Sequence, residues 1–123
     1  METKYKIALG IGVIVIVIAM AMFVQSAPSK NDAFAKCLTE KGAKFYGAFW
    51  CPHCKEQKDI IGSAMKYVNY VECSTPDGNG QLQVCTDAGI ETYPTWEFSD
   101  KSRVTGVMEL RELSASTGCL LPK

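Results

Sequence analysis

The N-terminal part of the chain is dominated by one uninterrupted apolar run, from Ile7 to Val24, which contains no charged residue. A helix of that length extends about 27 Å, close to the roughly 30 Å hydrocarbon core of a bilayer. A small domain could not bury such a helix on every side. Lys4 and Lys6 precede the run, which predicts a cytoplasmic N-terminus and export of the remainder. We favour an uncleaved anchor over a cleaved signal peptide, although Ser26 and Ala27 offer small residues for a peptidase.

After this run the hydrophobic pattern changes repeatedly between helical and strand periods. In chain order it predicts a short helix in "NDAFAKCLTEKG", a strand over Lys44–Phe49, a helix that starts near Pro52 and keeps one apolar face to Val68, a strand over Val68–Cys73, a short helix in "QLQVCTDAG", a hairpin of "TWEF" and "RVTGV", and a last helix in "MELRELSASTG". A helix between the first two strands implies a parallel pair with a right-handed crossover. We therefore expect an α/β domain, residues 28–123, with a mixed four-stranded sheet and flanking helices, preceded by a membrane segment in residues 1–27.

Composition narrows the classes of function. The 123-residue chain has a formal net charge of zero and no basic cluster, so nothing favours nucleic-acid binding. All six cysteines follow the apolar run. An even number of cysteines in a small exported domain indicates disulfides, whereas the same number in a cytosolic protein would favour a metal.

Two of these cysteines, Cys51 and Cys54, stand in "FWCPHC" at the predicted junction of the first strand and its helix. The free N–H groups and the positive dipole end of that helix favour a thiolate at Cys51. Cys54 lies one turn further, on the apolar face, and is expected to be buried and less ionised. An exposed reactive thiol with a shielded neighbour suits thiol–disulfide exchange, in which Cys51 reacts and Cys54 resolves the mixed disulfide. A static local disulfide and a zinc site are the alternatives, but the sequence holds no second C-x-x-C or histidine pair for zinc.

The order of elements, with C-P-x-C between the first strand and its helix, resembles the thioredoxin fold. In "DAGIETYPTWEF", Tyr93-Pro94-Thr95 matches the cis-proline loop of thioredoxins. The resemblance implies that Pro94 is cis and faces the dithiol, and that Tyr93 and Thr95 flank it where an extended client chain would pair. An ordinary trans proline is the alternative. Trp50 is expected at an exposed rim that contacts clients.

Phe49, the residue before Trp50, is expected in the core. The strand that enters the active site differs from that of thioredoxins at one position. Thioredoxins keep a buried carboxylate on this strand, whereas the matching residue here is Phe45. Proton transfer to and from Cys54 must then use water or another group.

The tetrad "CPHC" is similar to that of the DsbA family of periplasmic oxidants. The resemblance implies that Pro52 and His53 set the direction of electron flow towards oxidation of clients. His53, the only histidine of the chain, can stabilise a Cys51 thiolate by charge or by donating a hydrogen bond. Alternatively, His53 is a solvated surface residue with no role in the chemistry.

The other four cysteines are expected to form structural disulfides. With Cys51 and Cys54 set aside, three pairings are possible. Cys73 and Cys85 close a short loop between elements expected to pack side by side, so we favour that bond, which leaves Cys37 and Cys119 as the second pair.

A closer resemblance covers nearly all of the exported part. The segments "FAKCLTEKGAKFYGAFWCPHCKEQK", "YVECSTPDGNGQ", "AGIETYPTWEF" and "STGC" are similar to the thioredoxin-like domain that is fused, in bacteria and plants, to vitamin K epoxide reductase homologues. In those fusions a quinone-linked membrane part oxidises the thioredoxin-like part. The resemblance implies a redox module anchored in the cell membrane beside such an oxidase.

These patterns together predict an extracytoplasmic thiol–disulfide oxidoreductase that passes disulfides to exported proteins through Cys51 and Cys54, with no bound cofactor or metal. A disulfide reductase, for example in cytochrome maturation, is the alternative enzyme. A client-binding or assembly module without redox activity is the non-enzymatic alternative.

Overall fold

The N-terminal helix stands apart from the rest of the chain in a computed structural model that describes residues 1–25 and 27–123. Helix α1 spans Glu2–Gln25, and its apolar window is not buried against any other part of the protein. It is long and apolar enough to cross a membrane, as an anchor or an export signal would be. Ser26, part of the expected peptidase site, lies outside the described residues.

The remaining elements follow the predicted order. They are α2 (Asp32–Glu40), β1 (Lys44–Gly47), α3 (Pro52–Ile61), a 3₁₀ helix (Gly62–Tyr67), β2 (Tyr70–Glu72), α4 (Gln83–Asp87), β3 (Thr95–Glu97), β4 (Arg103–Thr105) and α5 (Leu110–Thr117). The strands form one sheet in the order β2-β1-β3-β4. β1 is parallel to β2, whereas β3 is antiparallel to both β1 and β4. This architecture is the thioredoxin fold.

Each face of the sheet carries its own apolar cluster, because neighbouring residues of a strand point to opposite faces. On one face Phe45 stacks on its cross-strand partner Trp96, with ring centroids 5.0 Å apart. Residues of α2, α3 and α5 pack into this larger cluster, which also contains both Cys51 and Cys54. On the other face Tyr46 packs with residues of α4 and the following loop. Helices therefore flank the sheet on both sides, and the candidate dithiol belongs to the larger core.

Several predicted elements are shorter than expected, and two of these adjoin the dithiol. The apolar face predicted to reach Val68 in one helix is interrupted at Gly62, whose φ of 73° lies in the left-handed region that glycine adopts readily. A 3₁₀ helix completes the segment. β1 ends at Gly47 instead of Phe49, because the chain turns there, with the Cys51 N–H donating to the Ala48 carbonyl at 3.1 Å.

Two disulfides hold the periphery of the domain. Cys37 of α2 is bonded to Cys119, just after α5, and Cys73 is bonded to Cys85 across a loop of the sheet edge. This is the pairing that the sequence favoured. Cys51 and Cys54 are free thiols in the structure.

Candidate active site

The two free thiols lie at the N-terminus of α3. Cys51 is the N-cap residue, with extended backbone angles, and its sulfur accepts a hydrogen bond from the Cys54 N–H at 3.4 Å. Pro52 occupies the first turn, where a missing N–H does not remove a helical hydrogen bond. The Cys51 sulfur therefore lies at the positive end of the helix dipole, where a backbone N–H of the first turn donates to it.

Both sulfurs are more enclosed than the sequence indicated. Cys54 is fully buried, as predicted, but Cys51 is only 6% exposed, so the expectation of an exposed Cys51 was wrong. The reason is the proline loop, because the Tyr93 carbonyl lies 3.8 Å from the Cys51 sulfur and covers it. Cys51 therefore offers a reacting sulfur little accessible surface, and Cys54 offers none.

Burial raises the pKa of the Cys54 thiol to about 12. The hydrogen bond and the charge of Cys51 act in the same direction, whereas Lys58 partly opposes them. Cys54 is therefore a protonated thiol at neutral pH. It has to lose that proton whenever it attacks another sulfur.

The proline loop lies directly beside the dithiol. The Tyr93–Pro94 peptide bond is cis, as the resemblance implied, and Pro94 is buried. Thr95 is also buried, and its hydroxyl donates to the Thr92 carbonyl at 2.6 Å. Its side chain therefore supports the loop, and pairing of the Thr95 backbone with a client stays a prediction. Tyr93 is the residue of this loop that borders Cys51.

Aromatic side chains stand on both segments that flank Cys51, the turn before it and the proline loop. Phe49 is 58% exposed and Trp50 is 53% exposed, so the expectation that Phe49 belongs to the core was wrong. The Trp50 ring packs edge-on against Tyr93, with centroids 6.1 Å apart, and its Nε1 donates to the Ser74 hydroxyl at 2.9 Å. We call Phe49, Trp50 and Tyr93 the aromatic rim. A polar partner fixes the Trp50 ring, which otherwise offers an apolar surface beside the reactive sulfur.

His53 lies on the outer side of α3. Its side chain is 70% exposed, and its Nδ1 is 3.4 Å from a carboxylate oxygen of Glu56. The contact that the structure gives its ring is therefore with Glu56 and not with the Cys51 sulfur. Any action on a Cys51 thiolate has to be electrostatic and through solvent, and it stays a prediction.

One group near the dithiol was missed by the sequence analysis. The Tyr70 hydroxyl donates a hydrogen bond to Glu72 Oε2 on the same strand, β2, and the Tyr70 side chain lies near the Cys54 sulfur. Phe45, where thioredoxins carry a carboxylate, is fully buried in the apolar cluster. The sequence could have indicated this pair by the pattern Tyr-x-Glu in the predicted second strand, because residues two apart in a strand point to the same face of the sheet. Within the described residues, no group of three or more His, Cys, Asp or Glu side chains could hold a metal ion.

Comparisons with known proteins agree with this geometry. No family model matches the chain. It is 52% identical over 91 residues to the thiol-disulfide oxidoreductase LTO1 of Arabidopsis thaliana, a match that covers 70% of this chain and 24% of that protein. It is 27% identical over 94 residues to protein disulfide-isomerase 5-1 of Arabidopsis thaliana, covering 68% of this chain and 64% of the relative. The chain thus spans about a quarter of the first relative and under two thirds of the second. It carries a thioredoxin-like domain with homology to thiol–disulfide enzymes.

Proposed function

We propose that this chain is a thiol–disulfide oxidoreductase that passes disulfides to exported proteins. The observation that carries the proposal is the dithiol itself. Cys51 caps the N-terminus of α3 beside the cis-proline loop, with Cys54 buried behind it. Similarity to two proteins named for this chemistry supports it.

The burial of Cys54 gives the reaction an order. A client thiolate attacks the sulfur of Cys51 in the Cys51–Cys54 disulfide, and Cys54 leaves as a thiolate that takes up a proton. A second client thiolate then attacks the client sulfur of the mixed disulfide, which forms the client disulfide and releases Cys51 as a thiolate. Two electrons pass from the client to the domain. Cys51 is the attacked sulfur because Cys54 has no exposed surface.

The aromatic rim and the proline loop bind the client in this proposal. An unfolded chain brings apolar side chains and an extended backbone to these residues. Exposed aromatic rings bury apolar area at a low cost in side-chain entropy, and a backbone beside a cis proline can pair with an extended peptide. Phe49 therefore joins Trp50 and Tyr93 as a candidate client-binding residue.

The membrane is the proposed location of the activity. α1 would anchor the domain as a single span of the cell membrane, with Lys4 and Lys6 on the cytoplasmic side and the dithiol on the outer side. Each cycle leaves the dithiol reduced, so an oxidant has to accept two electrons. We assign this step to a quinone-linked membrane oxidase, such as a vitamin K epoxide reductase homologue. A short tether would raise the effective concentration of the domain near that partner.

A trapping experiment tests the reaction. Reduced, unfolded ribonuclease is incubated with the oxidised domain, and ribonuclease activity and disulfide-linked adducts are followed. We expect the wild-type domain to restore ribonuclease activity. The Cys54→Ala variant, charged at Cys51 as a mixed disulfide with glutathione, should form a ribonuclease adduct that persists longer than that of the wild-type domain, because Cys54 can no longer displace the client. Cys51→Ala is the matched control and should give neither result. Full activity of Cys51→Ala would reject Cys51 as the reacting sulfur, and a wild-type domain that restores no activity would favour a binding module without redox chemistry.

A further inference from the structure

The buried position of Cys54 creates a need for a proton carrier. In the proposed reaction Cys54 gains a proton each time it leaves Cys51 and loses one each time it attacks again. Its sulfur has no exposed surface and its pKa is about 12, so solvent neither reaches it directly nor deprotonates it readily. Some neighbouring group has to move this proton at neutral pH.

Tyr70 and Glu72 form a hydrogen-bonded pair, and Tyr70 is the member that lies near this sulfur. A methyl group built on Gly47 would lie 3.0 Å from Cys54 Sγ and 3.4 Å from the Tyr70 hydroxyl oxygen. The thiol and the phenol therefore border the same small space, which Gly47 leaves open because it has no side chain. The Tyr70 hydroxyl donates to Glu72 Oε2, and the other carboxylate oxygen accepts the Phe49 N–H at 2.9 Å. Glu72 is only half-buried, so the far end of the pair reaches solvent.

The surrounding charges keep Tyr70 a neutral phenol. Burial raises its pKa, and the hydrogen bond and charge of Glu72, together with the Cys54 and Cys51 sulfurs, raise it further. The Lys58 ammonium lies 4.0 Å from the centre of the Tyr70 ring. Among the described residues the titratable groups around the Cys54 sulfur are thus Cys51 and Lys58 from α3 and the pair from β2, while β1 contributes Gly47. A phenol that stays protonated can pass a proton on without storing charge.

We propose that Tyr70 and Glu72 carry the proton to and from Cys54. When Cys54 attacks the Cys51 sulfur of a mixed disulfide, its S–H proton passes to the Tyr70 oxygen while the phenol proton passes to Glu72. The new S–S bond forms, the partner sulfur leaves as a thiolate, and Glu72 releases its proton to solvent. The two transfers reverse when Cys54 departs as a thiolate. Tyr70 is the catalytic residue of this relay, and Glu72 acts through it.

This inference rests on the proposed function, and one experiment separates the two. The domain with Cys51 and Cys54 reduced is mixed with glutathione disulfide, quenched with acid at successive times and analysed by intact mass. Formation of the Cys51–glutathione adduct reports the reaction of Cys51. Decay of that adduct to the Cys51–Cys54 disulfide reports the attack by Cys54. If the wild-type domain forms neither species, the proposed function fails.

Tyr70→Phe and Glu72→Gln test the relay. We expect adduct formation within about two-fold of wild type but adduct decay slowed at least about ten-fold at neutral pH, since general base catalysis contributes at least that much. The difference should shrink as the pH rises towards the Cys54 pKa of about 12, because a growing fraction of Cys54 is then already a thiolate before it attacks. Tyr46→Phe is the matched control, since it removes a buried phenol hydroxyl from the opposite face of the sheet. It should leave both steps unchanged.

Two results would overturn the relay. Adduct decay at the wild-type rate in both variants would mean that the pair carries no proton. Parallel slowing of both steps, with no change in the difference as the pH rises, would assign the pair a structural role only.

Discussion

Replacing Gly47 with alanine tests the packing around the Cys54 sulfur. The new methyl group would lie 3.0 Å from Cys54 Sγ and 3.0 Å from Tyr70 Cε2. Unstrained contacts between such atoms are about 3.5–4.0 Å long, so the sulfur or the ring has to move by several tenths of an ångström. Inserting a methyl group into a packed core typically costs about 1–3 kcal/mol, and we expect a loss of that size in the free energy of unfolding.

A double-mutant cycle assigns this cost to the sulfur. All proteins carry Cys51→Ala, so that no active-site disulfide forms, and stability is measured by urea denaturation. Gly47→Ala is compared in the presence of Cys54 and in the Cys54→Ala background, where the sulfur no longer opposes the methyl group. We expect the penalty to fall by at least about 0.5 kcal/mol, the lower range for residues in contact. Equal penalties in the two backgrounds, or a gain in stability, would refute the contact between Gly47 and the Cys54 sulfur.

Three further predictions concern the rest of the domain. Replacing Cys37 and Cys119 with alanine opens a loop with a sequence separation of 82 residues, and should lower the free energy of unfolding by about 4.5 kcal/mol in the chain-entropy model. Burial raises the pKa of Glu97, but the hydrogen bond and charge of Arg103 outweigh it and hold the pKa below the ordinary value of 4.5. The ionised carboxylate therefore stabilises the fold above that pH, and this stabilisation is lost as the pH falls through the lowered pKa. Glu97→Gln should lower the free energy of unfolding in urea by about 1–3 kcal/mol at neutral pH and by little in acid. His53→Ala should make the dithiol less oxidising by about 10–30 mV in glutathione buffers, a small change because the ring is exposed.

Each of these three predictions would be contradicted by a specific result. An unchanged urea midpoint after removal of the first disulfide would show that it does not restrain the unfolded chain. A Glu97→Gln penalty that is independent of pH would mean that the carboxylate is not ionised in the fold. An unchanged potential in His53→Ala would remove that residue from the chemistry and leave the helix terminus as the source of thiolate stabilisation.

Much of the fold could be predicted because local signals and the hydrophobic pattern agree. Pro52 marks the start of α3, and Gly118, with a φ of 76°, ends α5 where the pattern stops. The predicted boundaries extend too far where apolar residues continue past an element. Phe49 extends the apolar run of β1, but the turn that presents Cys51 points its side chain outward. The run of apolar residues holds no sign of that turn.

The two cysteines and the cis proline could be predicted because short motifs carry them. The burial of Cys51 could not be predicted, since it depends on the position of the Tyr93 carbonyl beside the sulfur. The position of Tyr70 and Glu72 relative to the dithiol depends on the register of β1 and β2, in which Gly47 pairs with Glu72. These two strands are far apart in sequence. A sequence shows that both strands exist, but not which residues meet across them.

The reduction potential of the Cys51–Cys54 pair tests the central claim most directly. The domain is equilibrated in glutathione buffers of known potential, its free thiols are alkylated, and the modified residues are identified by mass spectrometry. We predict that only Cys51 and Cys54 titrate, with a potential nearer to about −120 mV than to about −270 mV, the values of a strong oxidant and of a reductant with this fold. A pair near −270 mV would contradict the oxidase direction and favour a reductase. A dithiol that forms no disulfide across this range would contradict the account as a whole.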